Sequence, residues 1–234
     1  MIVEKTLKNI NLHAHSTFSD GQFSPETLVM QAIEQDISIL GFADHYHTSK
    51  TLSIAPDMLK KYIDELDNLA TRHNAIRILK GIEINTLDMF LQNRSLPDIN
   101  LMERLDFMLF EYIANIPRTG IPLAHAVLMT KDVPVSKGLA HTDLSRMFPD
   151  MTPDECVDRI VNAGFFIELN ESYRRPGETD PFYVHYIPYF RASGIASMRF
   201  SVGTDSHGAI KSASNALSFL QDHDLLNNLI IEHI

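Results

Sequence analysis

Two short stretches near opposite ends of a 234-residue chain hold the residue types that bind divalent metals. The first is His13-Ala14-His15-Ser16-Thr17-Phe18-Ser19-Asp20-Gly21, and the second is Asp205-Ser206-His207. On a β-strand, residues i and i+2 leave the same face, so each pair aims two ligands at one point. Imidazole nitrogens and carboxylate oxygens are the donors that hold Zn²⁺, Mn²⁺ or Fe²⁺. Water bound to such ions becomes hydroxide near neutral pH, so the spacing predicts a metal-dependent hydrolase.

Those pairs need strands to carry them, and strand followed by helix is what recurs along the chain. Residues 9–15 predict a first strand, in which Ile10, Leu12 and Ala14 alternate with Asn11, His13 and His15. Ser24-Pro25-Glu26 then opens a helix to about residue 35, with Ser as N-cap, Pro at the first helical position and an acid in the first turn. Apolar runs at 38–43, 75–84, 105–110, 137–141, 165–169 and 198–204 predict six more strands. Residues 56–73 read as an amphipathic helix with Leu59, Ile63, Leu66 and Ala70 on one face. Thr152-Pro153-Asp154-Glu155 is a capping box for a helix ending at Gly164. Residues 182–192 read as helical despite Pro188, and 209–220 and 222–230 as closing helical material. The three-proline stretch 116–134 gives no clear element.

Seven strands alternating with helices imply parallel strands joined by helical crossovers. The polar candidates fall at nearly every strand C-terminus. A β/α barrel builds its site there, whereas an open doubly wound sheet binds only at its topological switch point. The expected fold is therefore α/β, a TIM-like barrel, with residues 1–234 as a single domain.

Asp20 precedes Gly21, and alone would be a turn aspartate; after a His-x-His strand it reads as a ligand returning on the loop. His45 ends the second strand, and His47 shares its parity but sits in a loop. Glu83 lies between Ile82 and Ile84, where a buried carboxylate needs a cation or a partner. His141 follows Gly138-Leu139-Ala140, and Asp205 and His207 follow Ser201-Val202-Gly203-Thr204. Glu168 reads as an acceptor behind a ligand histidine rather than as a ligand itself. His73, His223 and His233 read as surface residues, and His125 and His185 are left unassigned.

The formal charge is −10, which argues against nucleic acid or an anionic membrane as the main partner. Two or three divalent cations would cancel much of that excess. A hydrophobic content of 44% is enough for a sizeable core. The single cysteine, Cys156, permits no intrachain disulfide and reads as a small core residue, which fits a reducing, cytoplasmic setting. No apolar run approaches the ~20 residues that span a bilayer, and the N-terminus has no signal-peptide pattern.

Taken together, Leu12-His13-Ala14-His15 with Ser19-Asp20-Gly21, Ala43-Asp44-His45, Gly81-Ile82-Glu83-Ile84-Asn85, Leu139-Ala140-His141 and Gly203-Thr204-Asp205-Ser206-His207 resemble the PHP (polymerase and histidinol phosphatase) domain family of metal-dependent phosphoesterases. The resemblance covers nearly the whole chain. It implies a distorted seven-stranded (β/α)7 barrel, a cluster of two or three metal ions (Zn, Mn or Fe) at its mouth, and hydrolysis of phosphate esters. Carried over by motif, the ligands are His13, His15, Asp20, His45, Glu83, His141, Asp205 and His207. Strand four in this family commonly ends in a histidine. Here it leads to Glu111, which is either an oxygen ligand in its place or a residue that has lost the role.

The expected activity is hydrolysis of a small phosphate monoester, histidinol-phosphatase-like, by hydroxide formed at a di- or trinuclear centre. Arg146, Arg174 and Arg175, each shortly after a ligand-bearing strand end, are candidates to clamp the phosphate. Two other readings compete. An amidohydrolase-type enzyme also opens with His-x-His, but its barrels usually have eight strands and lack the Glu83 motif and the Asp-x-His ending. A non-catalytic, metal-bound regulatory module is disfavoured by the full ligand set and mildly favoured by Glu111.

Overall fold

The computed structural model describes residues 9–116, 118–232 and 234. Seven parallel strands run in sequence order: β1 (Ile10–Ala14), β2 (Ile39–Tyr46), β3 (Arg77–Asn85), β4 (Phe107–Glu111), β5 (Ser136–Leu139), β6 (Phe165–Asn170) and β7 (Phe200–Gly203). The sheet curls until its edges meet. Across the seam the Asn11 amide donates to Thr204 Oγ1 at 2.7 Å, and His15 N donates to Ser206 O at 2.9 Å. The result is a nearly closed, TIM-like α/β barrel, as expected.

The helices are α1 (Pro25–Glu34), α2 (Leu59–Arg72), α3 (Thr86–Gln92), α4 (Ile99–Met102), α5 (Leu123–Met129), α6 (Leu144–Met147), α7 (Pro153–Asn162), α8 (Ile187–Phe190) and α9 (Ser214–Asp222). Ser24 caps α1 by accepting from Thr27 N, and Thr152 with Glu155 forms the predicted capping box of α7. The burial of α2 departs from the expected stripe. Ala70 is exposed, while Tyr62 and Leu69 join Leu59, Ile63 and Leu66 inside. Tyr62 fits there because its hydroxyl reaches Gly81 O at 2.8 Å, satisfying the polar end of a buried ring.

Several boundaries also shift. β2 runs to Tyr46, three residues past the apolar run 38–43, and carries His45 one residue before its end. β5 stops at Leu139, and His141 follows with a left-handed φ of 29°. Residues 182–192 are not one helix: a 3₁₀ turn, Phe182–Tyr186, precedes the single turn of α8. Pro188, lacking an N–H, sits in that first turn, where no donor is needed. Between 209 and 220 the helix starts only at Ser214, and beyond α9 the described residues form short 3₁₀ turns rather than a helix. The stretch 116–134 contains α5, and α3, α4 and α6 are elements for which the sequence offered no periodic run long enough to read. Cys156 is buried and free on α7. No helix among the described residues is long and apolar enough to cross a membrane. His233 lies outside the described residues.

Candidate metal centre

At the C-terminal mouth, β1 presents His13 and His15 side by side, both fully buried, with their Nε2 atoms 3.0 Å apart. The turn after β1 brings Asp20 back over them. Asp44 on β2 pins that turn, accepting from Ser16 N at 2.7 Å, Ser19 N at 3.1 Å and Ser19 Oγ at 2.7 Å. Gly21 closes it: a side chain there would run into the His15 carbonyl, 2.1 Å from an added Cβ. Asp20 Oδ1 consequently stands 3.1 Å from His207 Nε2 and 3.6 Å from His15 Nδ1, with Thr51 Oγ1 donating to Oδ2 at 2.9 Å.

Glu83, from β3, occupies the middle. Its Oε1 lies 2.8 Å from His141 Nε2 and 3.7 Å from His13 Nε2, and its Oε2 lies 3.0 Å from His45 Nδ1 and 3.7 Å from His15 Nε2. Asp205 Oδ1 faces His15 Nε2 at 2.8 Å and His13 Nε2 at 3.3 Å. His207 stacks on His15 with ring centroids 4.1 Å apart and forms the exposed rim. Glu111, wholly buried at the end of β4, receives the Lys50 ammonium on Oε2 at 2.8 Å.

All nine predicted ligands thus meet at one mouth, although they come from six of the seven strands or the turns that follow them. Three groups have ligand atoms within 4.8 Å of one another: His15, Asp20, His45 and His207; His13, His15 and Asp205; and His45, Glu83 and Glu111. His141 stands outside those groups but touches Glu83. The atoms fit metal ions for two reasons. His45 Nδ1, Glu83 Oε2, Glu111 Oε1 and Asp205 Oδ1 are buried with no properly formed hydrogen bond, a costly arrangement for carboxylates unless a cation sits between them. His13 and His15 point nitrogens at each other, as do ligands of one tetrahedral ion, whose N atoms lie roughly 3.3 Å apart for ~2.05 Å bonds.

The electrostatics agree. Burial works against the charge on Glu83, yet His13, His141 and His45 hold its carboxyl well below the usual range. Asp205 is likewise held far down against burial, chiefly by the charge of His13 and by the close approach of His15. Burial alone would lower His13, but Glu168, Asp205 and Glu83 lift it to about 10. Burial does win at His15, which is lowered. Ligand imidazoles must be neutral, so metal binding here releases protons.

Glu168 stands where expected, behind the ligands. Its Oε1 accepts from His13 Nδ1 at 2.7 Å and its Oε2 from His141 N at 2.7 Å. Gly203 makes room, since an added Cβ would lie 2.5 Å from both Glu168 Oε1 and His13 Cβ. His47 turns away with φ 46°, packing its ring on Tyr46. His125 stacks on Phe90 and His185 meets Glu178, both outside the three groups. His73 caps the end of α2, and His223 is half-buried against Phe190 and Phe219.

Beside His141 opens a cavity of about 290 Å³, walled by Tyr112, Tyr173 and Phe182 and edged by Lys50, Arg146, Arg174 and Arg175. The three arginines differ. Arg175 spends its charge on Asp143, with contacts of 2.7 and 2.8 Å. Arg174 is fixed to the carbonyls of Thr179 and Ser172. Arg146 is exposed. A wider cavity of about 610 Å³ lies between α5 and α7, with none of the nine candidate ligands in its lining. Three residues that matter here were not singled out from sequence: Lys50; Tyr173, whose hydroxyl donates to Asp205 Oδ2 at 2.8 Å while its ring stacks on His141; and Asp44. A tyrosine beside two arginines shortly after the strand that carries Glu168 was the available signal for Tyr173. Lys50 had none, because its partner is 61 residues away.

A parallel β/α barrel whose mouth gathers imidazoles and carboxylates defines a barrel protein with a candidate site for divalent metal. More particularly, the chain belongs to the PHP domain family, which matches residues 11–134. Among curated proteins it is 33% identical over 78 residues to the DNA polymerase/3'-5' exonuclease PolX of Bacillus subtilis (strain 168), covering 33% of this chain and 14% of that protein. It is 32% identical over 77 residues to the 5'-3' exoribonuclease Rnm of Escherichia coli (strain K12), covering 33% of this chain and 22% of the relative. The aligned parts are thus under a quarter of each relative's length. Among solved structures, the histidinol phosphate phosphatase of Lactococcus lactis subsp. lactis Il1403, complexed with Zn, L-histidinol and phosphate, superposes with a TM-score of 0.59. That match covers 94% of this chain and 93% of the other at 17% identity, a likeness of fold.

Proposed function

We propose that this chain is a metal-dependent phosphoesterase that hydrolyses a small phosphate monoester, with His13, His15, Asp20, His45, Glu83, His141, Asp205 and His207 holding divalent ions. The observation that carries it is the convergence of these side chains around four buried polar atoms without hydrogen bonds. When bound, the ions lower the pKa of water to supply the nucleophile and offset charge on the phosphoryl oxygens. Zinc is the ion in the Lactococcus lactis structure, with manganese and iron suited to the same donors.

The chain's own residues do the rest. Glu168 takes the proton side of His13 Nδ1 and so turns Nε2 toward the centre. Tyr173 binds Oδ2 of Asp205 and leaves Oδ1 facing the histidines. Asp44 holds the turn that returns Asp20. Arg174 and Arg146 edge the adjoining cavity and would bind phosphate oxygens there, and Arg175, already paired with Asp143, would contribute least. The organic part of the substrate then lies against Tyr173 and Phe182. We assign the whole chain to one catalytic domain acting in the cytoplasm.

Elemental analysis of the purified protein, followed by assay of a panel of phosphate monoesters that includes histidinol phosphate and nucleoside monophosphates, tests the reading. Bound metal with turnover of at least one ester is expected. Absence of turnover with every divalent metal tried would favour the non-catalytic module. A second reading, the 5' end of a short RNA as substrate, is favoured by the cationic cavity edge on an otherwise acidic chain and by the exoribonuclease relative. A 5'-phosphorylated oligoribonucleotide belongs in the same panel.

A further inference from the structure

Glu111 and Glu83 are neighbouring buried carboxylates at the β4 side of the centre, and together with His45 they could take a third ion. The chain, however, already brings a cation to that spot. Lys50 Nζ bonds Glu111 Oε2 at 2.8 Å and lies 5.1 Å over the Tyr112 ring. The Lys50 side chain is 39% exposed, but the turn that carries it is fixed. Asp88, itself 8% exposed, accepts from Thr48 Oγ1 at 3.0 Å, Ser49 N at 2.6 Å and Ser49 Oγ at 3.0 Å, and Lys50 N donates to Thr48 Oγ1 at 3.1 Å. The turn that presents Lys50 is thus fastened to the N-terminal end of α3.

We propose that the Lys50 ammonium is the third cation of this centre, bound on Glu111, so that the protein loads two divalent ions rather than three. The inference rests on the metal-hydrolase reading above and specifies its metal count. Charge balance favours it. Five carboxylates touch the imidazole cluster or Lys50: Asp20, Glu83, Glu111, Glu168 and Asp205. Two divalent ions and one ammonium match those five negative charges with the histidines neutral. A third ion would leave an excess of two and would set a dication beside an ammonium on one carboxylate. Because Lys50 also edges the cavity beside His141, its charge faces the place where the phosphate is expected.

The test is the ion-to-protein ratio of the full chain, equilibrated with Mn²⁺ and, separately, Zn²⁺, then freed of excess and measured by elemental analysis. Wild type is expected to carry two ions, and Lys50→Arg also two. Lys50→Met frees Glu111 to join His45 and Glu83, and the ratio should rise to three. Glu111→His releases Lys50 and supplies a nitrogen ligand, and it should likewise rise to three; it serves if Lys50→Met fails to fold by circular dichroism. Three ions on the wild type would overturn this inference alone. A ratio that stays at two in both folded variants would do the same. A wild-type ratio below two would remove the underlying polynuclear reading, and this inference with it.

Discussion

The two parts of the mouth are built differently. The cradle of imidazoles and carboxylates stands on strand ends, is nearly all buried, and is braced from behind by Glu168, Asp44 and Tyr173. The neighbouring cavity is made by the connections after β2, β4, β5 and β6, and its cations are exposed or half-exposed. Strand register sets His13, His45, Glu83 and Glu111, and the turns fastened to the strand ends set the others, with the precision that metal bonds need. A substrate pocket tolerates looser placement and can be altered without disturbing the register. The chemistry is therefore a property of the barrel, and the choice of substrate a property of its loops.

The largest expected effect comes from breaking the cradle. His15→Ala or Asp205→Asn should lose bound metal and bring aryl phosphate turnover to background, read by elemental analysis and a colorimetric assay. Full metal and activity in either would end the distinction between cradle and cavity. Next, Glu168→Gln should cost ~10–100-fold in metal affinity or activity, the usual effect of removing a carboxylate behind a ligand histidine. Metal titration against a fluorescent chelator measures it. On the cavity side, Arg174→Ala and Arg146→Ala should each lower kcat/KM by ~10–100-fold, corresponding to the ~1.5–3 kcal/mol of a charged hydrogen bond. Their metal content should stay unchanged, and Arg175→Ala should do less, since Asp143 already occupies that guanidinium. Kinetics unaltered in all three variants would remove the phosphate clamp.

The smallest effect concerns the Lys50 turn. Burial works to raise the Asp88 carboxyl, but hydrogen bonds from Ser49 and Thr48 and the nearby Arg94 hold it below its ordinary value. A depressed folded-state pKa stabilises above the unfolded value of ~3.9 and loses that contribution as pH falls through the lower folded value. Asp88→Asn should therefore cost about 1 kcal/mol at neutral pH and nothing once the pH is well below both values. Thermal unfolding of both proteins from pH 7 to pH 2 measures it; a gap that persists at the acid end would contradict this account.

What was legible in the sequence follows the same division. His13 with His15 announces itself through the two-residue period at the end of β1, and Glu83 through its apolar neighbours; Asp205 and His207 lie past the end of β7, where Asp205 takes a left-handed φ of 47°, so the turn rather than a strand sets their spacing. The face of α2 was read less well, since Ala70 and Tyr62 differ in what the neighbouring strand offers them, and only the fold brings Gly81 O to the Tyr62 hydroxyl. Lys50 and Tyr173 act through partners 61 and 32 residues away, a relation with no local pattern. α3, α4 and α6 are one or two turns long, too short to show a helical period.

The barrel's seam joins the first strand to the seventh, and the residues on either side of it, His13 and His15 against Asp205, face one another. During translation the ribosome releases β1 long before β7. A nascent chain that has reached only β6 displays the histidines without the carboxylate that closes around them. An ion held between His13, His15 and Asp205 would therefore need the ring closed first. A chain truncated before Asp205 would lack the carboxylate that faces both histidines across the seam.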